Sequence, residues 1–198
     1  MQISAEFVTS AAGVRDFPRD RLAEVALVGR SNVGKSSLIN ALVRQNVART
    51  SAAPGKTRLA NFYRVQRGSG PAFYLVDLPG YGYARGGDRS TEEFNRLTDA
   101  YFARAADQKA IGVLLLVDAR HPGLEPDLEA WGWLRSQPCS RGIVGTKADK
   151  LTRAERARHG RELESLFDVP VPLVSAPTGE GLETLWKLIA TLPKPTAP

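Results

Sequence analysis

The fold of this chain is decided by the segment Gly29-Arg30-Ser31-Asn32-Val33-Gly34-Lys35-Ser36, which follows an apolar run at Val25–Val28. A segment with helical character, Ser37–Val43, comes directly after it. The pattern G-x-x-x-x-G-K-S between a strand and a helix predicts a phosphate-binding loop. The glycines let successive backbone N–H groups point at an anion, and the helix start adds its positive dipole. We expect Lys35 to reach the outer phosphates and Ser36 to place its hydroxyl on a magnesium ion. The alternative, a glycine-rich turn before an ordinary helix, fits these flanks poorly, so the segment predicts binding of a nucleoside triphosphate.

The composition is typical of a folded protein with a substantial core. The chain of 198 residues is 42% hydrophobic and 24% charged, which is ordinary for a soluble globular protein of one domain. We expect a single domain over residues 1–192 and a flexible proline-rich tail over residues 193–198. No apolar run approaches the ~20 residues that span a bilayer, and the N-terminus lacks the pattern of a secretory signal. Cys139 is the only cysteine, which excludes an internal disulfide. A cytoplasmic monomer fits these features best.

The basic residues are concentrated in one part of the sequence. The formal net charge is +6, and no carboxylate occurs between Glu24 and Asp77. This basic interval contains Arg30, Lys35, Arg44, Arg49, Lys56, Arg58, Arg64 and Arg67. These are more cations than one triphosphate needs, which favours a polyanionic partner such as RNA. The alternative is a solvated basic surface without a partner.

Strand and helix patterns alternate along the chain, with one hairpin inserted between residues 61 and 76. Residues 111–117 form a continuous apolar run of the kind that is buried in a parallel sheet. Residues 46–60 carry Pro54-Gly55 and little periodicity, which predicts a long functional loop. The order of elements predicts a three-layer α/β fold with helices on both faces of a six-stranded, mostly parallel sheet. One strand of that sheet is antiparallel, and an extra N-terminal strand is expected near residues 5–9.

Two later motifs narrow the ligand to GTP. Asp77-Leu78-Pro79-Gly80 follows a strand, where the aspartate can hold magnesium through water and the glycine amide can sense the γ-phosphate. Thr146-Lys147-Ala148-Asp149 follows another strand. Guanine presents two adjacent donors that one carboxylate accepts, whereas adenine lacks that pair, so Asp149 selects against ATP. Lys147 can lay its methylenes along the base, and Ser175-Ala176 can supply a backbone N–H to the guanine carbonyl oxygen.

These motifs in this order resemble the EngB/YihA (YsxC-like) family of bacterial GTP-binding proteins, within the translation-factor-related P-loop GTPases. The resemblance covers essentially the whole chain apart from the tail. It is carried by residues 29–40, Pro54-Gly55-Lys56-Thr57, residues 77–84, Asp118-Ala119-Arg120-His121 and residues 146–151. It implies a Ras-like P-loop GTPase fold, GTP hydrolysis, a role in large ribosomal subunit assembly, and a link to cell division and septation.

The resemblance also assigns roles by position. It implies magnesium ligation by Ser36 and Thr57. The residues expected to act in catalysis are Lys35, Thr57, Asp77, Gly80 and Asn32. The residues expected to contact GTP or GDP are Gly29, Arg30, Ser31, Asn32, Val33, Gly34, Lys35, Ser36, Ser37, Gly55, Lys56, Thr57, Arg58, Leu59, Asp77, Leu78, Pro79, Gly80, Thr146, Lys147, Ala148, Asp149, Val174, Ser175 and Ala176.

Hydrolysis is expected to be slow. Many regulatory GTPases place a glutamine after the glycine of Asp-x-x-Gly to orient the attacking water, and here that position is Tyr81, which has no amide. Asn32 raises a sharper hypothesis, because in related GTPases an asparagine there helps to hold a potassium ion in place of an arginine finger. The alternative is that Asn32 only suits a tight turn. Thr57 and Gly80 would make their contacts only with GTP, so residues 46–60 and 80–92 are expected to order with GTP and relax with GDP.

Two functional interpretations stay open at this point. The first is a GTP-hydrolysing assembly factor that binds ribosomal large-subunit RNA or a precursor particle. The second is a GTP-dependent protein-binding switch at the division site, with incidental hydrolysis. An ATP-using P-loop kinase is disfavoured by Asp149 and by the absence of a recognisable acceptor site.

Overall fold

A computed structural model describes residues 2–49, 59–81, 88–104 and 111–192, with the backbone alone for residues 88–95. The expectation of a flexible tail at 193–198 falls outside these ranges. The strands are β1 (Ile3–Ala11), β2 (Ala23–Gly29), β3 (Ala60–Arg67), β4 (Phe73–Asp77), β5 (Ile111–Asp118) and β6 (Ser140–Thr146). The helices are α1 (Lys35–Val43), α2 (Asp88–Ala103), α3 (Glu125–Arg135), α4 (Arg153–Phe167) and α5 (Leu182–Thr191). Within the described part of the chain, no helix is long and apolar enough to cross a membrane.

The strands form one sheet in the order β1-β3-β4-β2-β5-β6. Strand β3 runs antiparallel to both β1 and β4, whereas the other neighbouring pairs are parallel. This confirms the predicted mostly parallel sheet with one antiparallel strand, and the expected N-terminal strand lies at its edge as β1. The apolar segment at residues 171–174 adds only a single bridge to this sheet, between Gly145 and Leu173. Pro172 explains why this pairing is so short, because proline has no N–H to donate to a ladder.

The core fills both faces of the sheet, because strand β5 is buried on both sides. Every residue of β5 is buried, and its side chains alternate between two apolar clusters. Helices α1 and α5 cover one face, where Leu38 and Ile189 are buried. Helices α2, α3 and α4 cover the other face, where Tyr101 and Leu163 are fully buried. The predicted three-layer architecture is therefore confirmed.

Helix α4 illustrates how local sequence starts an element. Thr152 precedes it and accepts a hydrogen bond from the backbone N–H of Glu155 at 3.3 Å. The Glu155 carboxylate in turn accepts one from the Thr152 N–H at 2.8 Å. This reciprocal capping box satisfies two backbone donors that have no partner inside a helix.

Two glycines with opposite backbone requirements provide a test of the fold. Gly181 precedes α5 with φ of 75°, and a methyl group there would collide with the Leu173 carbonyl oxygen. Gly132 lies exposed inside α3, and a methyl group there would meet nothing within 4 Å.

We predict that Gly181→Ala lowers the free energy of unfolding by at least about 1–2 kcal/mol. Gly132→Ala should raise it by about 0.5–1 kcal/mol. Urea unfolding followed by circular dichroism measures both, and a stabilising Gly181→Ala would contradict the structure.

Candidate nucleotide-binding site

The polar residues singled out in the sequence meet at one edge of the sheet. The loop at residues 29–36 follows β2, Asp77 ends β4, Asp118 ends β5 and Thr146 ends β6. Because these four strands are parallel, their carboxyl ends lie side by side. Crevices at this edge are where open α/β sheets bind ligands.

The loop at residues 29–36, the P-loop below, adopts the tight path that its glycines require. Gly34 has φ of 109° and immediately precedes α1, which begins at Lys35. At Gly29, an added Cβ would lie 2.8 Å from the Leu116 carbonyl oxygen, so only glycine fits against β5. Asn32 has φ of 64°, a conformation that asparagine tolerates better than most residues. The backbone amides at the start of α1 are therefore placed to face an anion.

Lys35 is held inside the P-loop. Its side chain is largely buried, and its Nζ donates to the Gly29 carbonyl oxygen at 3.2 Å. Burial lowers the pKa of the Lys35 ammonium, an effect that nearby Asp77 opposes. A phosphate bound in the loop would complete the pairing of this cation, because a buried charge is costly without a counter-charge.

Asp77 and Ser36 form a pair of oxygen ligands beside Lys35. Asp77 is buried, and its Oδ2 accepts a hydrogen bond from the Ser36 hydroxyl at 2.7 Å. Its Oδ1 is buried without a hydrogen-bond partner among the described residues. Burial raises the pKa of the Asp77 carboxyl, and Lys35 and Ser36 oppose that rise. Hydroxyl and carboxylate oxygens are the ligands that Mg²⁺ prefers, so this pair fits a magnesium site.

The segment after Asp77 lies directly on the P-loop. At Gly80, an added Cβ would lie 2.8 Å from the Ser31 nitrogen and 3.0 Å from Lys35 Nζ. The Ser31 N–H donates to the Tyr81 carbonyl oxygen at 3.1 Å. Leu78 and Pro79, which link Asp77 to Gly80, are both buried. Gly80 is thus brought next to Lys35, as a contact to the outermost phosphate requires.

The end of β6 is fastened to the P-loop as well. The Thr146 hydroxyl donates to the Val33 carbonyl oxygen at 2.8 Å. Lys147 Nζ donates to the Asn32 carbonyl oxygen at 2.8 Å and to Asp118 Oδ2 at 2.9 Å. Burial alone would raise the pKa of the Asp118 carboxyl, but hydrogen bonds from Arg120 and Lys147 hold it well below its ordinary value. These two hydrogen bonds fix the end of the Lys147 side chain. A side chain held in this way could lay its methylenes along a bound base.

Asp149 lies against the loop that follows Leu173. Its Oδ1 accepts a hydrogen bond from the buried Ser175 hydroxyl at 2.9 Å. The Ala148 N–H donates to the Val174 carbonyl oxygen at 3.1 Å, which joins the two segments through their backbones. The Ser175 N–H donates to the Glu180 carbonyl oxygen. Of the predicted pair, the Ala176 N–H has no partner among the described residues and could therefore donate to a guanine carbonyl.

Some expected site residues cannot be placed. Gly55, Lys56, Thr57 and Arg58 lie outside the described residues, and of the two expected magnesium ligands only Ser36 is described. Leu59 is described and is exposed just before β3.

Sequence reasoning missed several contacts that shape the site. Asp118 follows a buried strand, a signal that could have suggested its role beside Lys147. No comparable local signal identifies the Ser175 hydroxyl as the partner of Asp149, or Asn40 as a clamp. The Asn40 amide group donates to the Ala48 carbonyl oxygen and accepts from the Ala48 N–H, each at 2.8 Å. It anchors the start of the loop that leads into residues 50–58.

The basic interval is partly neutralised in the folded chain. Arg67 pairs with Glu183 at 2.6 Å, and Arg64 lies 3.4 Å from Glu6. Arg30 pairs with Asp127 at 3.2 Å. These carboxylates come from distant parts of the sequence. The folded chain therefore places negative charge beside three of the arginines, and its surface there is less positive than the sequence of the basic interval alone indicates.

Comparisons with known proteins find relatives that are described as GTP-binding proteins. The family model described as "50S ribosome-binding GTPase" matches residues 24–147. A relative called probable GTP-binding protein EngB, from Pelotomaculum thermopropionicum, is 43% identical over 94% of this chain and 93% of its own length. The protein of the same description from Oceanobacillus iheyensis is 39% identical, over 94% of this chain and 95% of its own.

Solved structures show the same fold. A crystal structure of a probable GTP-binding protein EngB is 26% identical with a TM-score of 0.62, and the match covers 85% of this chain and 97% of that one. Aquifex aeolicus Era, solved with GDP and aluminium fluoride, has a TM-score of 0.71 at 23% identity. This chain spans 59% of that Era chain, and the likeness shows the fold alone.

The position of Asp149 predicts a change of base preference. Asp149→Asn should weaken GTP binding by roughly 10–100-fold, because a carboxylate that accepts two donors is replaced by a neutral amide. It should strengthen binding of xanthosine triphosphate, whose base carries a carbonyl oxygen where guanine has its amine. Isothermal titration of both nucleotides measures the change. Lys150→Ala, which removes an exposed cation 3.4 Å from the same carboxylate, is the matched control and should leave both affinities nearly unchanged. Unaltered GTP affinity in Asp149→Asn would contradict the assignment.

Proposed function

This chain belongs to the EngB family of GTP-binding proteins, and we propose that its GTPase cycle is a slow nucleotide-dependent switch in large ribosomal subunit assembly. The observation that supports this most directly is the gathering of Lys35, Ser36, Asp77 and Gly80 at the sheet edge where β6 leads into Asp149. The match to the 50S ribosome-binding GTPases supports the ribosomal part of the proposal. A link to normal cell division and septation belongs to the same proposal.

The buried oxygens beside Lys35 support a magnesium ion as the resident metal. Ser36 would contribute its hydroxyl as a ligand while still donating to Asp77. Asp77 would hold metal-bound water through Oδ1, which has no hydrogen-bond partner within the described part of the chain. Thr57 would be the second protein ligand. When bound, Mg²⁺ neutralises charge on the β- and γ-phosphate oxygens.

The residues of this chain supply the remaining parts of the reaction. The P-loop amides bind the phosphates, and Lys35 directs its ammonium at the β- and γ-phosphate oxygens. Gly80 offers its N–H to the γ-phosphate, while Lys147 and Asp149 orient the guanine. Water then attacks the γ-phosphorus in line with the leaving GDP oxygen. This arrangement is chiefly one of positioning and charge neutralisation, which is how phosphoryl transfer is catalysed.

Tyr81 supports a low intrinsic rate. Its hydroxyl donates to Asp127 at 2.8 Å, which directs the side chain toward α3. A phenol held there cannot orient the attacking water as an amide would. We propose turnover on the order of 10⁻⁴–10⁻² per second, the range of GTPases without an arginine supplied in trans.

Potassium dependence is testable on the P-loop itself. If the Asn32 side chain helps to hold potassium, single-turnover hydrolysis should be faster in potassium than in sodium at equal ionic strength. Glycine accepts the same positive φ but lacks the side-chain amide of asparagine. Asn32→Gly should therefore abolish the stimulation by potassium and keep the affinity for GDP. Equal hydrolysis rates in the two salts would contradict a role for potassium. Stimulation by potassium that persists in Asn32→Gly would show that residues other than Asn32 hold the ion. Fast hydrolysis by the isolated protein in both salts would contradict the proposed slow turnover.

Switching would follow from the same contacts. In this proposal Thr57 and Gly80 reach the metal and the γ-phosphate only in the GTP state. Residues 46–60 and 80–92 would then order with GTP and relax with GDP. The Asn40 clamp on Ala48 sets where the first of these segments begins to move.

Ribosomal RNA, or a precursor particle that contains it, is the proposed partner. The net charge of +6 supports attraction to a polyanion. We further propose that the chain acts as a cytoplasmic monomer whose single domain spans residues 1–192.

The competing proposal is a protein-binding switch at the division site. The internal pairing of Arg30, Arg64 and Arg67 favours it, because arginines paired with carboxylates attract RNA less strongly.

Sedimentation with purified ribosomal subunits separates the two proposals. We expect the protein to pellet with large subunits in a non-hydrolysable GTP analogue and much less with GDP or without nucleotide. Added salt should weaken the association steeply, because phosphate contacts release counterions. Asp149→Asn is the control and should lose the effect of the GTP analogue. Binding that is equal in all nucleotide states, or absent, would contradict an assembly role and favour a protein partner.

A further inference from the structure

A buried carboxylate on α3 joins two loops on the phosphate side of the site. Asp127 lies in the first turn of α3 and is 1% exposed. Its Oδ1 accepts one hydrogen bond from the Tyr81 hydroxyl at 2.8 Å and another from Arg30 Nε at 3.2 Å. Tyr81 directly follows Gly80, and Arg30 is the second residue of the P-loop. One carboxylate oxygen therefore holds both loops.

The physical chemistry makes this contact specific. Burial raises the pKa of the Asp127 carboxyl, and the hydroxyl of Tyr81 and the charge of Arg30 oppose that rise. A buried carboxylate without such partners would be costly. The Arg30 side chain is 28% exposed, whereas the Asp127 side chain is almost fully enclosed. The arrangement therefore favours one position of Tyr81 and Arg30 relative to α3.

Residue 81 is fixed at two points. Its carbonyl oxygen accepts from the Ser31 N–H at 3.1 Å, and its hydroxyl donates to Asp127. The preceding Gly80 has little room, because an added Cβ would lie 3.0 Å from Lys35 Nζ. A small displacement of residue 81 would therefore move the Gly80 N–H relative to the Lys35 ammonium.

We propose that Asp127 is a positioning residue that sets the Gly80 N–H at the γ-phosphate by holding Tyr81. The proposal rests on the proposed function, since it takes Gly80 as the γ-phosphate contact. In this proposal Asp127 acts through Tyr81 rather than through a contact of its own with the nucleotide. Because GDP lacks the γ-phosphate, Asp127 affects the affinity for GTP and the rate of hydrolysis but not the affinity for GDP.

Tyr81→Phe is the sharpest test, because it removes one hydroxyl and keeps the ring. The affinity for a non-hydrolysable GTP analogue should fall roughly tenfold while GDP affinity stays within about twofold, the factor of ten being that of one lost hydrogen bond to a charged group. The single-turnover hydrolysis rate should fall with it. Asp127→Asn keeps the shape of the side chain. It should likewise lower the ratio of the affinity for the GTP analogue to the affinity for GDP.

The matched control is Glu24→Gln. Glu24 is also a buried carboxylate paired with an arginine, Arg104, but it lies near the opposite end of β2 from the P-loop. Its replacement should lower stability and leave the ratio of analogue to GDP affinity unchanged. A fourth variant, Gly80→Ala, tests the γ-phosphate contact itself and should lower that ratio.

The outcomes separate the proposal from its premise. A lowered ratio in Gly80→Ala with unchanged ratios in Tyr81→Phe and Asp127→Asn overturns the role of Asp127 alone. Equal losses of analogue and GDP affinity in both of those variants also overturn it, because Asp127 would then serve only the fold. An unchanged ratio in Gly80→Ala overturns the γ-phosphate contact and the positioning role together.

Discussion

The burial of a positive charge at Lys35 is the constraint on which the site depends. Its ammonium is largely enclosed and donates to the Gly29 carbonyl oxygen, and burial works against its charged form. Asp77 offsets this in part, but its own carboxylate is buried and shared with Ser36. Two opposite charges that are both short of solvent favour binding of a phosphate and a divalent cation together, since each ligand completes the coordination of one of them. This arrangement of buried Lys35 and Asp77 with Ser36 therefore suits a metal–nucleotide complex.

The main chain of the P-loop is where the other loops attach. Carbonyl oxygens of Asn32 and Val33 accept from Lys147 and Thr146 at the end of β6, and the Ser31 N–H donates to Tyr81 after β4. These contacts connect the segments that contain Thr146-Lys147 and Tyr81 to the P-loop. Such connections hold the ends of separate strands in one arrangement.

Electrostatics beyond the pocket depend on the fold more than on the local sequence. Arg67 and Glu183 are 116 residues apart in the chain, yet their side chains make two hydrogen bonds of 2.6 and 2.8 Å. The Arg67 guanidinium also lies 5.0 Å from the centre of the Trp186 ring. This pairing joins β3 to α5 and neutralises the positive charge of Arg67 at the surface. Surface ion pairs add little stability, so their main effect here is on what the surface can attract.

The sequence by itself determined the strand–loop–helix that is predicted to bind phosphate, the alternation that builds a three-layer sheet, and the prediction that Asp149 reads guanine. Each of these depends on residues close together in the chain, where spacing and glycine content constrain the backbone directly. Only the tertiary structure decided that Ser175 orients Asp149, that Asp127 holds Tyr81, and which arginines are neutralised. The apolar segment at residues 171–174 likewise adds only one bridge, at Leu173. These features join residues that are 26 to 116 positions apart, and such pairs are specified by how helices and strands pack rather than by any local pattern.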